Sequence, residues 1–293
     1  MNRVPTFTKV SRVQSKWLEV PQVPARYFSE GFKGYQLEGR ILPIASKENE
    51  WPQTLVIHGA RSDYTELDGI LYPLQFLGIS SLSFNLSGHN TTTDVQLEST
   101  SLANNLQECL RFAAHLGAKL QTIIGHSMGG ALALKVAETY RSSVKKIVLL
   151  CPAMYSDIAY DKPFGASFRD IITTPFNFLN SSLLKFLREF DGELILIMGE
   201  YDGLRAIEFG GKEGTAAGIV KLSNGQIEAR LVNSVIPFEV IDSIEKYISS
   251  LRLKKIILPG CDHAVSAWLR ANPVWAWNLA SEITEFVTRP MVV

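Results

Sequence analysis

The chain has 293 residues, with 29 basic and 29 acidic side chains and a formal net charge of zero at pH 7. Without an excess of positive charge it lacks the electrostatic signature of nucleic-acid binding, so we expect no nucleic-acid partner. Hydrophobic residues make up 46% of the chain and charged residues 20%, which excludes a disordered or collagen-like protein. The length fits two domains, or one large α/β domain with insertions.

The sequence pattern also bears on targeting, membrane insertion and disulfide or metal binding. Residues 1–26 contain three prolines and no continuous apolar stretch, so we expect no secretory signal. No segment reaches the roughly 18 apolar residues of a membrane span. Cys109, Cys151 and Cys261 are odd in number and match no metal-ligand spacing. We therefore expect no disulfide framework, no metal site and a reducing, cytoplasmic location.

Short apolar, β-branched runs alternate with longer amphipathic segments, which predicts parallel strands joined by crossover helices. The runs at 147–150 and 194–197 are apolar at consecutive positions, as expected of strands covered by helices on both faces. Residues 35–44 are interpreted as an antiparallel lead-in hairpin. The predicted strands are Thr54–Ile57, Ile79–Phe84, Leu120–Ile124, Val144–Leu150, Leu194–Met198 and Lys255–Leu258.

Apolar residues recur at helical spacing in three further segments. The first runs from 102 to 116 and is followed by Gly117, which favours the end of a helix. The second spans about 237–251. The third, whose apolar face runs from 275 to 286, follows Asn272-Pro273, a capping residue and a proline suited to the first helical turn.

The most informative motif is Gly125-His-Ser-Met-Gly-Gly130. The pattern Gly-x-Ser-x-Gly is common by itself, but here it follows a predicted strand and precedes a run of strong helix formers. Its glycines omit the Cβ atoms that would collide in a sharp turn from strand to helix. Ser127 would then lie at a helix N-terminus, where developing negative charge is stabilised. The alternative is an ordinary turn whose serine caps the helix.

A serine nucleophile needs a general base, and the base needs a carboxylate to orient it. Asp202 follows the strand predicted at 194–198, and His263 follows the last predicted strand. Ser127, Asp202 and His263 would thus each lie at the carboxyl end of a different strand, where open α/β sheets place their sites.

The order and spacing of these motifs resemble the α/β-hydrolases of the serine-hydrolase branch, which includes esterases, lipases and thioesterases. The resemblance extends over roughly residues 35–288. It implies that Ser127 is the nucleophile, His263 the base and Asp202 the acid.

Two other carboxylates, Glu200 and Asp262, neighbour these predicted positions. The resemblance favours Asp202 because the acid of the family ends a Gly-Glu-x-Asp segment. The loop Asn85-Leu-Ser-Gly-His-Asn90 departs from the family pattern, which has an acidic residue before Arg-Gly-His-Gly. That loop is normally structural.

The resemblance also implies two backbone donors for a tetrahedral oxyanion. One is the N–H of Met128 in the elbow, and the other is the N–H of Ala60 after His58-Gly59. Arg61 and Tyr64 are candidates for contact with a polar substrate group, and for Arg61 a solvated arginine is the alternative.

The predicted domain spans 35–293 and follows an N-terminal extension, 1–34. Residues 151–193 form an insertion where this fold carries its lid. This insertion is rich in aromatic residues, and Phe176 and Phe178 are candidates for lining the substrate pocket. Packing of these rings onto the sheet is the alternative.

A second predicted insertion covers 203–234 and contains a β-hairpin at 219–231. Asn224-Gly225 is the favoured pair for its turn. Counting outward from this turn places Lys221 opposite Glu228. An isolated hairpin is marginal in water, so we expect it to pack on the lid or on a second subunit of a homo-oligomer.

The sequence therefore predicts an α/β domain with a mostly parallel, doubly wound sheet of the α/β-hydrolase type. Its expected activity is hydrolysis of a carboxylic ester or thioester of a small-molecule acyl substrate through an acyl-serine intermediate. No metal or organic cofactor is implied. An acyltransferase using the same residues and a non-catalytic ligand-binding protein are the alternatives.

Overall fold

The computed structural model describes residues 19–203, 219–221, 227–229 and 235–291. The strands are β1 (Arg26–Phe32), β2 (Tyr35–Leu42), β3 (Thr54–Ile57), β4 (Ser81–Phe84), β5 (Thr122–His126), β6 (Lys146–Leu150), β7 (Glu193–Gly199), β8 (Ile219–Lys221), β9 (Ile227–Ala229) and β10 (Leu253–Leu258). The helices are α1 (Asp68–Phe76), α2 (Leu102–Leu116), α3 (Met128–Thr139), α4 (Asp157–Tyr160), α5 (Ala166–Thr173), α6 (Leu183–Glu189), α7 (Phe238–Tyr247), α8 (Val265–Ala271) and α9 (Pro273–Thr288).

Eight strands form one sheet in the order β1-β2-β4-β3-β5-β6-β7-β10. The six strands from β4 to β10 in this order are parallel, and β2 joins β1 and β4 by antiparallel pairing. The chain leaves β3 toward β4 and returns on the other side of β3 as β5. Their carboxyl ends therefore border a topological switch point, where open α/β sheets bind ligands.

Every residue of β5, β6 and β7 is buried, because helices cover the sheet. Helix α3 contacts β3, β5 and β6. Contacts between helices fall into two groups: α1 and α8 each meet α9, whereas α2 and α6 meet α3, and α7 meets α6. These are the two helical layers of a doubly wound α/β fold, as the sequence predicts. None of the described helices is long and apolar enough to cross a membrane.

Several predicted elements coincide with the structure. Strand β3 and helix α2 have the predicted bounds, and α2 ends at Gly117, whose φ of 53° lies in the region that glycine tolerates. The remaining predicted strands shift by a few residues at their ends. Local apolar periodicity was sufficient for these elements because they form the buried centre of the fold.

The amino-terminal edge differs from the prediction. Strand β1 lies within residues 1–34, which the sequence assigned to an extension, and it pairs with β2 from Arg26 to Phe32. Residues 35–42 are one strand of this hairpin and not a hairpin by themselves. Residues along β1 alternate between partly buried and exposed, so the strand has no fully buried face that would mark it in the sequence.

The two predicted insertions contain defined elements in their described parts. Residues 151–193 include α4, α5 and α6 between β6 and β7. In 203–234, β8 and β9 pair antiparallel, with Lys221 opposite Ile227 and not opposite Glu228 as predicted. This pairing is centred on residue 224, whereas the predicted turn is centred between residues 224 and 225. The predicted Asn224-Gly225 turn lies outside the described residues.

Candidate active site

The strand-to-helix turn at Ser127 connects β5 to α3. Ser127 has φ 52° and ψ −120°, a conformation that residues with a Cβ rarely adopt. It is held by backbone bonds: its N–H donates to the Leu150 carbonyl over 3.0 Å, and its carbonyl accepts from the Ala153 N–H over 2.9 Å. These contacts fix the strained turn against the end of β6.

Glycine is required around this turn by close backbone contacts. A Cβ on Gly125 would lie 2.4 Å from the carbonyl oxygen of Gly129. A Cβ on Gly129 would lie 2.3 Å from the Ile57 carbonyl oxygen and 2.4 Å from that of His58. The first turn of α3 therefore packs directly on the backbone that leaves β3.

His263 lies beside this turn, after β10. Its Nε2 is 2.9 Å from Ser127 Oγ, and its Nδ1 is 2.7 Å from Asp202 Oδ2. The arrangement fits the tautomer in which Nδ1–H donates to Asp202 and Nε2 accepts from the serine hydroxyl. Ser127 and His263 are each 9% exposed, so the pair is shielded but reachable from one side.

Asp202 follows β7 and is anchored through its second carboxylate oxygen. Oδ1 accepts hydrogen bonds from the Val235 N–H over 2.9 Å and from the Ile236 N–H over 3.1 Å. These two donors hold the carboxylate in one orientation. Sequence reasoning missed them, because a backbone donor 33 residues away leaves no local signal.

The neighbouring carboxylates contact other partners. Glu200 Oε2 accepts from the Gly260 N–H over 2.8 Å. Asp262 Oδ1 accepts from the Ala264 N–H over 2.8 Å, a turn contact within its own loop. Of the three candidate acids, Asp202 is therefore the one that the structure places against the imidazole of His263.

The two predicted oxyanion donors lie at the ends of adjacent strands. Met128 is the first residue of α3, and Ala60 follows His58-Gly59 at the end of β3. Within the described part of the chain, neither N–H donates a hydrogen bond to a protein atom. A Cβ on Gly59 would lie 3.3 Å from Ser127 Cβ, so the loop that carries Ala60 packs beside the serine.

Comparisons with known proteins agree with this architecture. A family model described as the α/β hydrolase fold matches residues 54–195. The chain has the α/β-hydrolase fold. Among solved structures, ferulic acid-bound Est1E from Butyrivibrio proteoclasticus has a TM-score of 0.61 at 16% identity, covering 89% of this chain and 100% of that one. A soluble variant of monoglyceride lipase from Saccharomyces cerevisiae has a TM-score of 0.60 at 13% identity, covering 95% and 100%.

A third similar solved structure is the thioesterase domain from the curacin biosynthetic pathway, with a TM-score of 0.57 at 15% identity over 89% of this chain and 99% of that domain. A curated relative, "Putative esterase/lipase 2" of Mycoplasma pneumoniae, is 25% identical over 108 residues, which are 37% of this chain and 40% of that protein. The match thus spans less than half of that relative. Together the findings support assignment of the chain to the α/β-hydrolase superfamily.

Three cavities that share lining residues form the candidate site, and the first of them is lined by Ser127 itself. The serine cavity, of about 490 Å³, is lined by Ser127, His263 and the first residues of α8. The aromatic cavity, of about 230 Å³, is lined by Met128 and by three rings, Tyr155, Phe164 and Phe168. The outer cavity, of about 500 Å³, lies between α5 and residues 235–240. Ala60 borders the first two cavities, and Tyr155 borders the last two.

The predicted substrate-lining residues separate into two groups. Arg61 lines the aromatic cavity and Phe178 lines the outer cavity. Tyr64 instead packs on Arg40, with the guanidinium carbon 4.8 Å from its ring centre. Burial and a hydrogen bond to Glu38 raise the pKa of Tyr64 above its usual range. Phe176 is 43% exposed and borders none of the three cavities.

One group of possible metal ligands occurs among the described residues: Cys151, Asp202 and His263, with their ligand atoms within 4.8 Å of one another. Burial, together with the nearby Asp202 carboxylate, raises the pKa of the Cys151 thiol well above its usual range. A protonated thiol is a poor metal ligand, and Asp202 and His263 already bond to each other. These three side chains are therefore better suited to orienting the imidazole of His263 than to binding a metal ion.

Proposed function

We propose that this protein is a serine hydrolase that cleaves a carboxylic ester or thioester through an acyl-serine intermediate. One observation carries the proposal: a continuous chain of hydrogen bonds runs from Ser127 Oγ through both ring nitrogens of His263 to Asp202. A serine hydroxyl becomes an effective nucleophile when a base accepts its proton in this way. The esterase, lipase and thioesterase neighbours of the fold support the same reaction class.

In the acylation step, Ser127 Oγ attacks the substrate carbonyl carbon while His263 Nε2 takes the hydroxyl proton. The new Oγ–C bond leaves negative charge on the carbonyl oxygen, and Asp202 stabilises the imidazolium without taking its proton. The imidazolium then protonates the leaving alkoxide or thiolate as the C–O or C–S bond breaks. The product is an acyl-serine and a free alcohol or thiol.

In the deacylation step, His263 Nε2 takes a proton from water, and the resulting hydroxide attacks the acyl-serine carbonyl. The imidazolium returns the proton to Ser127 Oγ as the Oγ–C bond breaks, and the carboxylic acid leaves. The N–H groups of Ala60 and Met128 would bind the oxyanion in both steps. In other enzymes, loss of one such donor costs about 3 to 4 kcal/mol of transition-state stabilisation.

The cavities suggest where the two parts of a small-molecule substrate bind. The aromatic cavity, with Met128 at its wall, would hold the start of the acyl group, and the outer cavity, which shares Tyr155 with it, would hold the end of a longer acyl chain. The serine cavity would hold the leaving group. Residues 151–193 supply Tyr155, Phe164 and Phe168 to the aromatic cavity and are proposed to act as the lid. Apolar rings at these positions favour a substrate with an apolar acyl group.

A fluorophosphonate probe, which phosphonylates an activated serine, tests the proposal. The wild-type protein should react with the probe and hydrolyse p-nitrophenyl esters or acyl-CoA thioesters. Ser127→Ala should abolish both while leaving the unfolding temperature close to that of the wild type. Ser266→Ala is a matched control, because Ser266 lines the same cavity, whereas it is Ser127 whose hydroxyl is bonded to His263 Nε2. It should retain labelling and turnover.

Two outcomes would replace the proposal with one of its alternatives. A wild-type protein that neither reacts with the probe nor turns over any ester or thioester, yet binds such molecules, would be a ligand-binding protein. Formation of a new ester in preference to the acid, when an alcohol is added, would identify an acyltransferase using the same acyl-serine.

A further inference from the structure

The loop at 58–61 is held from both sides by side chains, the partly buried Glu66 on one side and the buried His89 on the other. The Gly59 N–H donates to Glu66 Oε2 over 2.7 Å, and the Arg61 N–H donates to His89 Nδ1 over 3.2 Å. The N–H of Ala60 lies between these two in the chain and has no protein acceptor among the described residues. Of three consecutive N–H groups, the outer two are thus engaged and the central one is available.

Glu66 is a charged acceptor on one side of the loop. Burial by itself would raise the pKa of Glu66, but nearby His126 and the Gly59 N–H stabilise the carboxylate and lower the pKa to about 2. His126 Nδ1 lies 3.1 Å from Oε2, the same oxygen that accepts from Gly59. Hydrogen bonds to an ionised acceptor are stronger than neutral ones, so this contact restrains Gly59 firmly.

His89 is a neutral acceptor on the other side. Burial, together with nearby His58 and Arg61, lowers the pKa of His89 to about 4. A neutral imidazole that accepts at Nδ1 carries its proton on Nε2, and this atom lies 2.9 Å from Asn105 Oδ1. The side-chain amide of Asn105 donates in turn to the Ser87 carbonyl over 3.2 Å and to Glu108 Oε2 over 3.0 Å. This chain of bonds orients both Asn105 and His89.

We infer that Glu66 and His89 are positioning residues that fix the Ala60 N–H for binding the oxyanion. Arg61 has φ 58°, so the chain turns sharply just after Ala60, and the bond to His89 holds that conformation. Neither Glu66 nor His89 is assigned a role on the reacting atoms; each acts through the backbone of the loop. The inference rests on the proposed function, because it requires an oxyanion at this site.

Matched substitutions separate the hydrogen bond from packing. His89→Asn keeps an acceptor oxygen near the position of Nδ1, whereas His89→Leu has a similar shape and no acceptor. On the other side of the loop, Glu66→Gln keeps an acceptor and Glu66→Met removes it. All four variants leave Ser127, His263 and Asp202 unchanged.

The decisive measurement compares an ester with its thionoester, in which sulfur replaces the carbonyl oxygen. Sulfur is a weak acceptor, so the ratio of the two kcat/KM values reports how well the oxyanion is bound. His89→Leu and Glu66→Met should lower kcat for the ester about 10- to 100-fold with little change in KM, because a misplaced donor acts in the transition state. In these two variants the ratio of kcat/KM for the ester to kcat/KM for the thionoester should fall together with kcat. In His89→Asn and Glu66→Gln, kcat and this ratio should both stay within about fivefold of the wild-type values.

Equal losses on both substrates, or wild-type ratios in the folded Leu and Met variants, would overturn the inference. If His89→Leu does not fold, the Glu66 pair decides by the same criterion, because it tests the other side of the loop. An inactive, unlabelled wild type would refute the proposed function itself. An active wild type with unchanged ratios in the variants would refute only the positioning roles.

Discussion

Two regions border the proposed substrate site, and they are held in different ways. The site loops, which we define as the turns after β3, β5, β7 and β10, are fixed by backbone atoms: glycines in contact with carbonyl oxygens and N–H groups bonded to carboxylates. Residues 151–193 border the site mainly through side chains. Phe164 and Phe168 pack edge to face with ring centres 5.0 Å apart, and Tyr155 lies 5.7 Å from Phe168.

The difference bears on what each region controls. Backbone contacts leave no room for adjustment, so a change in the site loops displaces the reacting groups. Ring packing is less directional, and a smaller ring leaves space that a substrate can fill. We therefore expect the site loops to determine whether the reaction occurs, and 151–193 to determine which acyl groups are accepted. Three predictions test this division, and each has a control substitution of the same residue type or of a neighbouring carboxylate.

The largest effect is expected at Asp202. Asp202→Asn should lower kcat by about four orders of magnitude, because an amide does not hold the Nδ1–H tautomer of His263. Glu200→Gln should lose less than tenfold, since glutamine still accepts from the Gly260 N–H. Steady-state kinetics on one ester measures both. Comparable losses of kcat in the two variants would contradict the assignment of Asp202, and not Glu200, as the acid that orients His263.

A smaller but still large effect is expected at Gly129. Gly129→Ala would place a Cβ 2.3 Å from the Ile57 carbonyl oxygen, so α3 and the end of β3 must move apart. Overpacking of this kind lowers the free energy of unfolding by about 1–3 kcal/mol. It should also lower kcat, because it displaces the N–H groups of Ala60 and Met128 that are proposed to bind the oxyanion.

Gly31→Ala is the control for this substitution, because a Cβ at Gly31 would meet no atom within 4 Å. Chemical denaturation of both variants gives the comparison. A Gly129→Ala protein with wild-type stability and turnover would show that the elbow tolerates movement, which would contradict the rigid role assigned to it.

The smallest effect is expected in 151–193. Phe178→Ala should enlarge the outer cavity and shift relative kcat/KM about tenfold toward longer acyl chains, since apolar contacts contribute about 1–3 kcal/mol per methylene at most. Phe176→Ala should not shift this preference, because Phe176 borders none of the three cavities. A chain-length series of p-nitrophenyl esters measures both variants. A uniform loss at every chain length in Phe178→Ala, with a lower unfolding temperature, would instead indicate that Phe178 serves only to pack the segment.

Local patterns in the sequence were sufficient for most of the sheet and for the choice of site residues. Strand β3 is four consecutive buried residues followed by His58-Gly59, and α2 has an apolar face that ends at Gly117. Ser127 and His263 were selected because each follows a predicted strand, and Asp202 was preferred to Glu200 and Asp262 through the family resemblance. The structure brings the three side chains into hydrogen-bond contact. In a parallel sheet, residues that follow different strands meet at one edge, so chain order already limits which side chains meet.

Other features follow only from contacts between distant segments. Tyr64 lies near the site in sequence, but its ring stacks on the buried Arg40, so it does not reach the cavities. Residues 221 and 228 were assigned as partners from a turn pattern, and the observed pairing is shifted by one residue, with Lys221 opposite Ile227. Such details depend on packing and loop length, which residue preferences do not encode.

The sequence by itself determined the α/β class, the positions of the central strands along the chain and the three side chains of the proposed reaction, because apolar periodicity and motif order act over short stretches of chain. Only the tertiary structure decided how these groups are held. The Val235 and Ile236 N–H groups that anchor Asp202, and the Glu66 and His89 side chains that anchor the loop at 58–61, come from 7 to 34 residues away. A hydrogen bond forms wherever folding brings donor and acceptor within about 3 Å, and only the packed sheet and its helices set that distance.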